Sequence, residues 1–148
     1  MQIQKQQYKK MTKQMSPKPP IIRNVVVAFV VGGLICVFGQ FVQNILLTHF
    51  NFTPETVGAP TVAVLIFIAS LLTGLGVYDR IGQFAGAGSA VPVTGFANAM
   101  TSAALEHRSE GLVLGVGGNM FKLAGSVIVF GVVAAFFIAL IKTLWGMM

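Results

Sequence analysis

The chain has 148 residues, a formal net charge of +6 and a mean hydropathy of +0.79, with 55% hydrophobic and only 9% charged residues. Soluble domains carry about 25% charged residues, so this composition excludes an ordinary soluble globular protein and predicts an all-α integral membrane protein, a small multi-span helical bundle. A single cysteine, Cys36, excludes an intramolecular disulfide, and the lack of a C-x-x-C pair leaves no thiolate zinc or redox motif.

Residues 1–22 read as a basic tail. Lys5, Lys9, Lys10, Lys13, Lys18 and then Arg23 precede the first apolar run with no acid among them. Such a tail holds the N-terminus in the cytoplasm, and contact with anionic lipid is a second use for it. Nucleic acid is not expected as a partner, because the charges lead straight into a membrane span with no recognition module between. Pro17, Pro19 and Pro20 stop any helix begun upstream. The apolar run that follows outlasts the roughly 7–15 residues of a signal peptide and ends in no A-x-A site, so it is expected to be retained.

Residues 23–148 form a single membrane domain. Val25 to Leu47 is 23 residues, roughly 34 Å as a helix, enough to cross the hydrocarbon layer. Gln40, Gln43 and Asn44 share one face late in that span. Buried amides need partners, so this face is expected to meet protein or water, as helix-packing glue or as pathway lining. In THFNFTPET, Thr53 and Pro54 look like a helix start, the threonine capping and the proline in the first helical position. The second span covers 57–78, with Ser70, Thr73, Gly74 and Gly76 making its far end small and polar. Two crossings would return Asp79 and Arg80 to the cytoplasm.

The next segment, 84–105, has the length of a span and the wrong side chains for lipid. Ser89, Thr94, Asn98, Thr101 and Ser102 want hydrogen-bond partners, Pro92 interrupts a helix, and Gly86, Gly88 and Gly95 permit close approach or non-helical backbone. Lipid does not tolerate open backbone, whereas a protein-lined cavity does. This segment is therefore a broken helix or a re-entrant hairpin, interior in both cases. After the charged loop Glu106 to Glu110, residues 111–141 would make a helix of about 46 Å, too long for one upright span. A break near Gly117-Gly118, with a lead-in segment over 111–122 and a full span over 123–141, resolves the excess. Strong tilt is the alternative.

The chain is poor in catalytic groups. It has four acids and two histidines, and contains no G-x-S-x-G or H-E-x-x-H. The G-x-G pairs at Gly86 and Gly115 follow no strand, so a dinucleotide fingerprint fails on context. No enzyme, metal site or cofactor is expected. Lys122, flanked by apolar residues, either snorkels or offers a charge to a pathway. With Arg108, Asn119 and the broken backbone at Gly117 and Gly118, it favours an anionic or zwitterionic small solute over a bare cation. One copy has too few spans to enclose a wide polar route, so an oligomer or multi-protein complex is implied.

Two strings carry a further likeness: GLGVYDRIGQFAGAGSAVPVTGFANAM, Gly74 to Met100, and SAALEHRSEGLVLGVGGNMFKLAG, Ser102 to Gly125. Across nearly the whole chain the sequence resembles the stage V sporulation AC/AEb membrane-protein family. The resemblance implies residence in the spore inner membrane. It also implies a complex with other proteins of the same operon, including the AEb and AD proteins. Function by resemblance would be uptake of dipicolinic acid in sporulation and release of its calcium chelate in germination, with gating by membrane tension as an additional implication. Gly86, Gly88, Pro92, Thr94, Gly95, Asn98, Glu106, His107, Arg108, Glu110, Gly117, Gly118, Asn119 and Lys122 fall in the family-like core. The resemblance assigns no ligand to any of them.

Overall fold

A computed structural model describes residues 20–146 together with Tyr8 and Met11. The expectations for Lys5, Lys9, Lys10, Lys13 and Lys18 lie outside these residues. Among the described residues from Pro20 onward, six α-helices follow in chain order: α1 Ile21–His49, α2 Gly58–Gly74, α3 Tyr78–Ala85, α4 Ala87–Ala90, α5 Val93–Glu106 and α6 Gly118–Gly146. A short 3-10 turn, Arg108–Glu110, and a π-helical turn, Leu112–Gly117, join α5 to α6. No strand occurs among the described residues, and the chain is a helical membrane protein.

Among the described residues, two helical stretches are long and apolar enough to cross a membrane, Ile21–His49 and Leu112–Gly146, and a third span exists if α2 and α3 count as one. That pair is bent by 100°. The bend has a local cause. Gly76 adopts φ 70, a left-handed conformation open to glycine at little cost. Its amide bonds to the Thr73 carbonyl at 2.9 Å, and the Val77 amide reaches back to Leu72 at 2.9 Å. These two bonds make a Schellman cap, which ends α2 with its last carbonyls satisfied. The second apolar run thus stops at Gly74 rather than continuing to Tyr78. Its start also differs from the sequence expectation: Thr53 and Thr56 close a separate turn, and the helix proper begins at Gly58 behind a fully buried Val57.

Packing runs through small side chains. The buried face of α2 is Thr61, Leu65, Ala69 and Thr73, spaced four apart. It lies against α5, whose buried residues are Thr94, Gly95, Ala97 and Ala103, in the most extensive interface of the bundle. Lipid is as apolar as leucine, so helices gain little by exchanging lipid for large side chains. Close backbone approach and interhelical hydrogen bonds supply the attraction instead. Gly88 of α4 carries this furthest: a Cβ there would overlap the Ala28 backbone of α1, with the Ala28 Cα only 2.8 Å away.

The excess length of 111–141 is accommodated by a change of helix type. The π-helical turn gives way to α-helix at Gly117-Gly118, and the stretch Leu112–Gly146 continues as one 35-residue element. None of the most apolar part of that element is buried within the chain.

Gly88→Val should lower the thermal unfolding midpoint of the detergent-solubilised protein, at an overpacking cost of roughly 1–3 kcal/mol. Gly131→Ala, where an added Cβ meets nothing within 4 Å, should leave the midpoint unchanged.

Candidate functional site: a cleft at the broken segment

Residues 84–105 form a broken helix. Gly86, at φ 54 and ψ −125, separates α3 from α4. Pro92, at φ −60 and ψ 162, separates α4 from α5. Breaking a helix twice within seven residues strands backbone carbonyls, and side chains recover them. Pro92 has no N–H, and its extended ψ carries the following amides away from α4. The Ser89 carbonyl consequently has no helical donor. Tyr78 takes that role: its hydroxyl lies 2.9 Å from the Ser89 carbonyl and 2.9 Å from Thr94 Oγ1. A carbonyl can only accept, so the phenol proton goes to Ser89 and the Thr94 hydroxyl donates in the second contact. Ser89, itself buried, donates through Oγ to the Gly86 carbonyl at 3.1 Å.

The Tyr78 ring is equally anchored. It is buried in a cluster with Ala69 of α2 and Ala97 of α5, and Leu72 packs against them. One side chain therefore plugs the elbow after α2 with its ring and ties α4 to α5 with its hydroxyl. One helical turn from the elbow, Thr73 Oγ1 lies 2.7 Å from the Ala69 carbonyl and 2.8 Å from Asn98 Oδ1. A hydroxyl has one proton. It goes to Ala69, and Asn98 completes the pair when its amide turns the NH₂ end toward Thr73.

These ties leave a cleft of about 520 Å³ against the break. Gly86, Ser89, Gly95 and Asn98 line it with Tyr78, and Val127 of α6 closes one wall. This volume falls in the range of pockets that hold small molecules. The lining contains no acid, and the first turn of α5 borders it, presenting the positive end of a 14-residue helix. Among the described residues, no group of three or more His, Cys, Asp or Glu is placed to hold a metal ion.

The candidate residues divide into two groups. Gly86, Ser89, Thr94, Gly95 and Asn98 converge on the cleft or its supports, Gly88 seats α4 on α1, and Pro92 makes the second break. Arg108, Gly117, Gly118, Asn119 and Lys122 do not line it. Arg108 and Lys122 are exposed, and Asn119 Nδ2 donates to the Gly115 carbonyl at 2.9 Å, supporting the π-helical turn. On α1, Gln40 Nε2 donates to Asn44 Oδ1 at 3.1 Å, both residues exposed, with Gln43 half-buried. Tyr78 and Thr73 are site residues that sequence reasoning missed. No residue-level signal set them apart, because Gly76 between them marks a turn and not which neighbour reaches the broken segment.

The fold and cleft define the class first: a helical membrane protein built around an interrupted helix. Residues 24–141 match the model of the SpoVAC/SpoVAEB sporulation membrane protein family, and the chain belongs to that family. It is 64% identical over 138 residues to stage V sporulation protein AC of Bacillus subtilis (strain 168), covering 93% of this chain and 92% of that protein. No solved structure matches.

Tyr78→Phe keeps the ring and removes the tie. It should cost about 1–3 kcal/mol through the unsatisfied Ser89 carbonyl, read as a lower unfolding midpoint and faster proteolysis between Gly86 and Pro92.

Proposed function

We propose that this chain is a pore subunit of a membrane complex that moves dipicolinic acid, or its calcium chelate, across the spore inner membrane during sporulation and germination. The cleft at the double helix break carries this reading. Interrupted helices in membranes survive where they border a cavity, and solute sites gather at such interruptions. Dipicolinate is a small planar dianion. A lining free of carboxylates and edged by a helix N-terminus suits it, with the Asn98 amide hydrogen that Thr73 does not use as a neutral donor. The basic tail and Arg23 support a cytoplasmic N-terminus. The partners are the AEb and AD proteins and other products of the same operon.

A second reading is a non-conducting scaffold that assembles the permease subunits. One observation favours it: among the described residues, every buried side-chain polar atom already has a partner, as a purely structural network would require.

Engineered cysteines in a Cys36→Ala background separate the two. In the assembled complex, cysteines replacing Ala90, Val91, Asn98 and Ala99 should react with a water-soluble thiol reagent and be protected by dipicolinate. Cysteines replacing Ala97 and Ala103, buried in the bundle, should not react. Uniform inaccessibility selects the scaffold.

Gating by tension belongs to the same proposal. The α1–α4 contact at Ala28, Gly32 and Gly88 is a seam of small residues, backbone against backbone. Dipicolinate flux from liposomes containing the purified complex should rise under osmotic load. Flux that ignores the load removes tension from the mechanism.

A further inference from the structure

Two polar features stand on apolar helices and face away from the bundle. On α1, the exposed Gln40–Asn44 amide pair uses one donor and one acceptor internally, which leaves Gln40 Oε1 and Asn44 Nδ2 without a partner among the described residues. On α6, Lys122 is exposed and forms no hydrogen bond or ion pair with the described residues. An ammonium group on an otherwise apolar helix surface is stabilised by a neighbouring acceptor. The two features cannot serve each other inside one chain. Helix α1 packs on α2, α3 and α4, helix α6 packs on α5 and the π-helical turn, and α1 and α6 share no packed interface.

Their depths match. Gly39 of α1 packs on Leu65 of α2. Thr73 of α2 bonds to Asn98 of α5, and Asn98 shares the cleft with Val127 of α6. Thr73 lies eight residues beyond Leu65, so in the antiparallel pair Val31, eight residues before Gly39, shares its level. Val31 and Val127 therefore lie within about one helical turn of a common depth. Gly33 and Gly125 each stand two residues from that level, toward the same side. A Cβ at either glycine would meet nothing within 4 Å. Each glycine shares a helix face with the polar feature of its own edge: Gly33 lies seven residues before Gln40, and Gly125 three after Lys122. On the same count, Lys122 sits about one helical turn, ~5.4 Å, deeper than Gln40. The flexible four-carbon stem of lysine spans that gap.

We infer that the α1 edge of one copy seats against the α6 edge of a second copy, with Gly33 opposite Gly125 and Lys122 donating to Gln40 Oε1. The two glycines let the backbones approach, and the amide pair receives the charge. Because the edges differ, the contact is head-to-tail, and repetition with a suitable rotation closes a ring. This inference concerns assembly and holds whether the ring conducts or scaffolds.

Two differently tagged full-length chains test it, both Cys36→Ala, one carrying Gly33→Cys and the other Gly125→Cys. Oxidation in membranes should give a disulfide-linked dimer bearing both tags when the chains are co-expressed, and none when either is expressed alone. Cross-links within a single species, or none in the mixture, overturn the interface. As a second measurement, Gly33→Leu and Lys122→Met should each shift the detergent-purified protein from oligomer to monomer while helical content by circular dichroism stays constant. A wild-type chain that is monomeric alone, or a Gly33→Leu protein of unchanged assembly size, also overturns it.

Discussion

A backbone broken twice in a membrane domain must find its lost hydrogen bonds inside the protein. In water, the stranded Ser89 carbonyl would cost little, because solvent would reach it. In hydrocarbon each unsatisfied group costs several kcal/mol. Tyr78 meets this requirement, and its placement dictates much else. Its hydroxyl must arrive between α4 and α5, so the chain must turn at Gly76 to bring the phenol there. Its ring must be buried, so Ala69 and Ala97 must be small. The 100° elbow, the alanine seam and the Ser89–Thr94 tie are three consequences of one constraint.

The same constraint explains why the bundle is assembled from small residues. Helices that gain nothing from excluding lipid must approach closely to gain dispersion and polar contacts. Gly88 against Ala28, and the Thr61-Leu65-Ala69-Thr73 face against α5, follow that logic. Close packing around a break also leaves a gap, because α4 is too short to fill the space that a continuous helix would occupy. The cleft is what remains, and its lining inherits the hydroxyls and amide that repair the backbone.

Much of this was legible in the residues. Gly86 and Pro92 mark the two breaks, and Ser89, Thr94 and Asn98 mark a segment unfit for lipid. Tyr78 was not legible as a site residue, because a tyrosine at the end of an apolar run reads equally well as an interfacial anchor. The length of the second helix was misleading for a related reason: apolar character continues through Leu75 and Val77, while the left-handed turn at Gly76 is a backbone property that hydropathy does not register. Lys122 showed the opposite difficulty. Its charge marked it as notable, but the helix face it occupies is set by the packing of α6 on α5, and that face points outward.

By itself, then, the sequence determined a membrane location, a helical class and the position of the interrupted segment. Each depends on properties carried by individual residues or short runs: transfer to lipid, the missing proline N–H, the conformational range of glycine. Only the tertiary structure decided that Tyr78 reaches Ser89 and Thr94, that Thr73 meets Asn98, and that Gly88 touches α1 while Lys122 does not touch the cleft. Those outcomes depend on which faces of separate helices meet and at what depth, and the relative rotation of two helices is fixed by the packing of both at once.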